Sequence, residues 1–175
     1  SSNITSSPIP LAWKRYPILL VDDDPSVIDL LQELLEDEDL PVHVAASGEE
    51  GLRLLDQHPI NLVISDQRMG GMTGTSFLKE VQARHPRTDL LTMMLSAYTD
   101  AATVMEAVNE AGAYQYMSKT WEDEVLLQKV AQALEVIHLR VQTHEMAEAN
   151  KNLMRRMAHL ESMSLTGAFA CALHQ

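Results

Sequence analysis

Short apolar runs alternate with longer stretches of helical periodicity along most of this chain. Ile18-Leu19-Leu20-Val21 is unbroken, and Ile60 to Ile64 is interrupted only by Asn61. Leu90 to Leu95 and Ala113 to Met117 are further short runs, and Pro41 to Ala45 is another. Runs this short, each followed by a 3.6-residue pattern, predict strands of a parallel sheet buried on both faces. The intervening helices carry their own start and stop signals. Pro25 and Ser26 open the first, with Val27, Leu30, Leu31, Leu34 and Leu35 on one face. Ser47 followed by Glu50 is a capping-box signature for the second, which Pro59 stops after His58. Gly70, Gly71 and Gly74 mark a loop, and a third helix spans about Thr75 to Arg84 before Pro86. Asp100 caps the fourth, which ends near Gly112, a glycine in the expected C′ place. The fifth begins after Trp121.

Strands alternating with helices in this way predict an α/β, doubly wound parallel sheet of five strands. Short loops and right-handed crossovers favour the flavodoxin-like order 2-1-3-4-5. The ends of the chain depart from this pattern. Residues 1–15 are rich in Ser and Pro and predict a flexible leader. From Glu122 to Ser164 there is neither Pro nor Gly. As one helix this piece would run roughly 65 Å, far more than a crossover needs. Met146, Leu153 and Leu160 recur every seven residues. Ala149 and Met163 fall on a companion seam, which Gln142 and Arg156 share, and Asn150 and Met157 sit on the adjacent row. This imperfect heptad predicts an extended C-terminal helix that pairs as a two-stranded coiled coil. A helix packed back on the domain and a frayed tail are the alternatives. The expected organisation is a leader over 1–15, an α/β domain over 16–135, and a helical linker over 136–175. That linker would lead to an output domain missing from this chain or acting in trans.

Composition narrows the function. The formal net charge of −12 argues against a sequence-independent grip on nucleic acid, which needs Lys and Arg facing phosphates. A single cysteine, Cys171, excludes an internal disulfide and fits a reducing compartment. No run of about 18 apolar residues offers a membrane span, and no signal-peptide pattern precedes the first strand. A cytoplasmic protein is expected.

The chemistry sits where strands end. Asp22, Asp23 and Asp24 follow the first run, and Asp66 follows the third through Ser65. Ser96 follows the fourth and Lys119 the fifth. In an open α/β sheet the working site lies at the carboxyl ends of the strands, so these groups share one edge. Clustered carboxylates repel and are costly to bury without a cation. The pattern implies a hard metal such as Mg²⁺, with phosphoryl chemistry beside it. A carboxylate can attack phosphorus, and a hydroxyl and an ammonium can hold the remaining oxygens. Asp24, before Pro25, reads as a helix N-cap. The seven histidines show no ligand spacing, and the methionines read mostly as core filler.

Residues of about 16 to 135 resemble the receiver domain of two-component response regulators. The motifs are Leu-Val-Asp-Asp-Asp, Val-Ile-Ser-Asp-Gln-Arg-Met, Leu-Ser-Ala-Tyr and Gly-Ala-Tyr-Gln-Tyr-Met-Ser-Lys. The resemblance implies that Asp66 is a phosphoacceptor served by a histidine kinase or phosphotransfer protein. It implies that Asp23, Asp66 and the main-chain carbonyl of Arg68 bind Mg²⁺ directly, with Asp22 acting through water. Ser96 would follow the phosphoryl group, Tyr116 would be the aromatic switch, and Lys119 would pair with phosphoryl oxygens. Two positions depart from the family. Met69-Gly70-Gly71 stands where many receivers have Met-Pro-Gly, and Thr120 stands where a cis proline usually follows the lysine. A cis bond to a non-proline residue costs about 2.5–4 kcal/mol. Either Lys119–Thr120 is trans with a re-aimed Lys119, or the fold keeps a strained cis bond.

The resulting expectation is a signalling module, not an enzyme, with a homodimer formed through the C-terminal helix. Phosphorylation would bias the dimer and pass through the helix to an effector. Three other readings remain open. A phosphatase using Asp66 as a transient nucleophile would need an acid two residues on, where Arg68 stands. A phosphorylation-independent scaffold would use only the helix. A receiver within a hybrid histidine kinase is the third, and His174 near the chain's end is the residue that reading would use.

Overall fold

The computed structural model describes residues 7–97 and 100–173. His174, and Ser1 to Ser6 of the expected leader, lie outside the described residues. Five strands form one parallel sheet: β1 (Ile18–Val21), β2 (Val42–Ala45), β3 (Leu62–Ser65), β4 (Leu91–Ser96) and β5 (Gln115–Ser118). Their order is β2-β1-β3-β4-β5, as expected. The helices are α1 (Pro25–Glu36), α2 (Gly48–Gln57), α3 (Gly74–Arg84), α4 (Ala101–Met105) and α5 (Asp123–Leu173).

The first four helices each start at a side-chain cap. The Asp24 carboxylate accepts from the Ser26 N–H, with Pro25 at the first helical position. The Ser47 hydroxyl accepts from the Glu50 N–H, and the Glu50 carboxylate accepts from the Ala46 N–H one residue before the cap. Asp100 caps α4 through the Thr103 N–H. The fourth helix differs from expectation in its second half. It closes as a π-helical turn over Glu106–Glu110, and Gly112 then takes φ of 67°. That left-handed conformation needs glycine, which is why the helix stops there.

β1, β3 and β4 are continuously apolar because both faces are covered. On one face Leu19, Val21, Val63 and Met94 pack with Leu52, Leu55, Phe77, Leu78 and the π-turn alanines Ala107 and Ala111. The alternate residues, Ile18, Leu20, Leu62, Ile64 and Met93, turn to the opposite face. There α1 supplies Leu31 and Leu35, and α5 supplies Leu126, Val130, Leu134 and Ile137, all buried. Asn61 fits beside β3 because its amide donates to the Asp89 carbonyl at 3.0 Å. Within the segment expected as a leader, Ile9 is buried and Leu11–Trp13 forms a 3₁₀ turn. The nearby Tyr16 hydroxyl lies 2.7 Å from His138 Nδ1.

The chain divides into two compact units, Ser1–His138 and Leu139–Gln175. The second is helical through Leu173, and its described side chains are almost all exposed. No helix among the described residues is long and apolar enough to cross a membrane.

The loop between β3 and α3 depends on one close approach. A Cβ at Gly74 would strike the Asp66 carbonyl oxygen and come within 2.8 Å of Gln67 Cα. Both are backbone atoms and cannot move aside cheaply. Gly70 has open space around it and a negative φ. Gly74→Ala should therefore lower stability by roughly 1–3 kcal/mol. Gly70→Ala should raise it by about 0.4–1 kcal/mol by restricting the unfolded chain. Urea unfolding midpoints check both; indistinguishable midpoints would contradict the loop analysis.

Candidate functional site

The strand order reverses beside β1, so β1 and β3 are neighbours at the switch point. Val21 pairs with Ser65, and the Asp66 N–H donates to the Val21 carbonyl at 2.9 Å. The next residue on each strand is therefore an aspartate, and the two emerge side by side. Asp22 and Asp66 are buried, while Asp23 is exposed. One carboxylate oxygen from each of Asp22, Asp23 and Asp66 lies within 4.8 Å of the others.

Main-chain donors fix each acid. Asp22 accepts from the Asp24 N–H at 2.9 Å, and Asp66 accepts from the Gln67 N–H at 2.8 Å. Asp23 accepts from the Gly70 N–H at 3.1 Å, which ties the β3–α3 loop to the end of β1. The loop is also held from behind. The Gln67 side-chain oxygen accepts from both the N–H and the hydroxyl of Thr75, each at 2.9 Å. Gln67, Gly74 and Thr75 are positioning residues that the sequence reading passed over. Their signal is Thr73, which caps α3 through the Ser76 N–H and so fixes where that loop ends.

Lys119 reaches this cluster from β5. Its Nζ lies 2.9 Å from Asp22 Oδ2 and 3.1 Å from Asp66 Oδ2. No peptide bond among the described residues is cis, so Lys119–Thr120 is trans. Of the two expected alternatives the trans bond is the one present, with Lys119 close to Asp66 over it. The Lys119 N–H donates to the Ser96 carbonyl at 2.9 Å, which fixes the residue's backbone beside β4. The Ser118 and Thr120 hydroxyls lie 2.8 Å apart, and the Thr120 N–H donates to Ser118 Oγ. These bonds shape the turn without a proline. Ser96 ends β4 fully buried. Tyr116 pairs with Met94 and packs, half-buried, against the core. Arg68 lies in the loop after Asp66 with its side chain exposed.

The electrostatics are unbalanced. Three carboxylates face one ammonium. Burial, and then the Asp22 charge, push the Asp66 carboxyl above the usual carboxylate range, despite the opposing pull of Lys119. Burial disfavours the Lys119 ammonium, but hydrogen bonds and charge from Asp22 and Asp66 outweigh it and raise its pKa. The surplus of negative charge, offered by hard oxygen donors, suits a divalent cation of the Mg²⁺ type. Asp22, Asp23 and Asp66 are the side chains that would hold it.

Residues 18–131 match the family model of the response regulator receiver domain. The hydrogenase transcriptional regulatory protein HoxA of Cupriavidus necator is 38% identical over 133 residues, covering 76% of this chain and 27% of that protein. The transcriptional regulatory protein GlrR of Escherichia coli is 36% identical over 125 residues, covering 71% of this chain and 28% of that protein. Among solved structures, the signal receiver domain of an HD domain-containing protein from Pseudomonas fluorescens matches with a TM-score of 0.67 at 33% identity. That match covers 71% of this chain and 98% of the other. The chain belongs to the response regulator receiver family. It spans about a quarter of the length of the curated relatives it matches.

An acid with a raised folded-state pKa favours folding at low pH and costs stability once ionised. Asp66 should therefore withdraw stability as pH rises from the ordinary carboxylate range through its own raised value. Lys119 works in the other direction in alkali. Its raised pKa contributes stability below the ordinary lysine value, and that contribution disappears as pH passes its folded-state value. Without divalent cations at neutral pH, Asp66→Asn should be more stable than the parent, and the loss of stability that Asp66 contributes with rising pH should disappear. Thermal melts across pH test this. A variant less stable at neutral pH and more stable at acid pH would contradict it.

Proposed function

We propose that this chain is a phosphoacceptor signalling module that stores a phosphoryl group on Asp66. The donor would be the phosphohistidine of a histidine kinase or of a phosphotransfer protein. The observation that carries this reading is the buried Asp66 carboxylate, 3.1 Å from an ammonium and beside two further acids. A carboxylate oxygen can attack phosphorus, and the Lys119 ammonium beside it can pair with the oxygens of the phosphoryl group it would take.

Each residue has a role in that step. An Asp66 oxygen attacks phosphorus, and the bond to the donor's imidazole nitrogen breaks. Lys119 passes from the carboxylates to a phosphoryl oxygen, and the Ser96 hydroxyl takes another. Asp22, Asp23, Asp66 and the Arg68 carbonyl would hold Mg²⁺, which would supply positive charge beside the transferring group. Tyr116 then changes its packing as Ser96 moves. Over residues 136–175 the helix of a homodimer relays the change to an output domain.

The matched relatives are named transcriptional regulatory proteins. We extend that class of output to this chain, with the acidic receiver itself making no nucleic-acid contact. Cys171 as the lone thiol fits a cytoplasmic setting. A second reading, a scaffold that needs no phosphorylation, is favoured by the exposed apolar side chains between Leu139 and Leu165.

Incubation with a small phosphodonor and Mg²⁺, followed by intact mass, separates these readings. The receiver reading expects one stable phosphoryl adduct, lost in Asp66→Asn and slowed roughly tenfold or more in Ser96→Ala and Lys119→Ala. No adduct favours the scaffold, and rapid turnover without accumulation favours a phosphatase.

A further inference from the structure

The second unit, helical from Leu139 through Leu173, leaves a row of apolar side chains in solvent. Leu139, Met146, Leu153 and Leu160 are 55%, 67%, 56% and 63% exposed and recur every seven residues. A lone helix gains nothing from such a row, and most helical stability in water comes from burying an apolar stripe. The question is which neighbouring row completes the seam, and with what partner.

Two rows flank the leucines on this helix. One contains Gln142, Ala149, Arg156 and Met163; the other contains Thr143, Asn150, Met157 and Ser164. If the first row lay in the seam of two parallel copies, Arg156 would face Arg156 of the second copy in an apolar interface. Neither charge would have a partner, which is costly. With the second row in the seam, Asn150 faces its own counterpart. Two amides can hydrogen-bond across the pair, and a single Asn at such a position fixes register and favours two strands. Arg156 then moves to the flank of the seam. In parallel strands that flank lies opposite the residue five further on in the partner helix, which is Glu161. The residue that spoils one register forms a complementary charge pair in the other.

We propose that residues 139–164 form a parallel, in-register, two-stranded coiled coil with a second copy of this chain. Leu139, Met146, Leu153 and Leu160 occupy one seam position; Thr143, Asn150, Met157 and Ser164 occupy the other. The occupant is a second copy because the stripe, the amide and the charge pair are all self-complementary. The length is sufficient, since a heptad seam needs roughly three to four repeats. This deepens the homodimer reading and rests on it.

The test uses the full chain in a Cys171→Ser background, with thiols introduced singly by Thr143→Cys and Leu160→Cys. Under mild oxidation each variant alone should form a disulfide-linked dimer, at least tenfold faster than Glu148→Cys on the outer face. An antiparallel pair would place position 143 opposite 160. Crosslinking only when those two variants are mixed would overturn the proposal and leave the homodimer standing. Sedimentation of the uncrosslinked chain separates the other failure, because a monomer at all concentrations sinks both. Arg156→Glu should weaken self-association by roughly 3–10-fold. Adding Glu161→Arg should restore it; failure of that exchange would contradict the register.

Discussion

The site depends on an excess of negative charge at one sheet edge. β1 and β3 each end in aspartate at the point where strand order reverses, and their pairing places Asp22 beside Asp66. Asp23 joins them to give three carboxylates within 4.8 Å. Lys119 from β5 is the cation that bridges two of them. The rest of the edge serves to hold this arrangement. Asp24 caps α1 so that the first acids point from a fixed turn, and Gly74 lets the α3 loop close over the Asp66 backbone. Gln67 anchors that loop from behind. A site that is short of positive charge suits a divalent cation.

The bridge also connects the site to the remainder of the domain. Lys119 is tied by its main chain to Ser96, the buried last residue of β4. Tyr116 lies on the same strand as the approach to Lys119 and contacts the core beneath the π-turn of α4. A π-turn has one residue too many for an α-helix, and such turns recur at functional sites. In the proposed function, anything that draws Lys119 from the carboxylates acts on β5 and on the start of α5 at once.

Much of this was legible in the sequence because it rests on local signals. Continuous apolar runs read as doubly covered strands, and Asp24, Ser47, Asp100 and Gly112 marked helix ends that the structure places there. The convergence of Asp22, Asp23, Asp66, Ser96 and Lys119 followed from strand ends alone. What was not legible depended on tertiary contacts. The position of Lys119 over a trans bond comes from Ser96, Ser118 and Thr120 acting together, and no single residue announces it. The π-turn has no local marker, because its spacing is set by Ala107 and Ala111 packing into the core. Ile9 is buried although its Ser- and Pro-rich surroundings suggest a free segment. The heptad was visible, but its companion row depended on weighing Arg156 against Asn150.

The central claim is that the charge-strained Asp66, among all the acids at this edge, takes the phosphoryl group. Borohydride reduction after exposure to a phosphodonor and Mg²⁺ converts an acyl-phosphate aspartate to homoserine, and peptide mapping then locates it. The account predicts homoserine at position 66 and nowhere else. Reduction at position 22 or 23, or an adduct on a side chain other than a carboxylate, would contradict it.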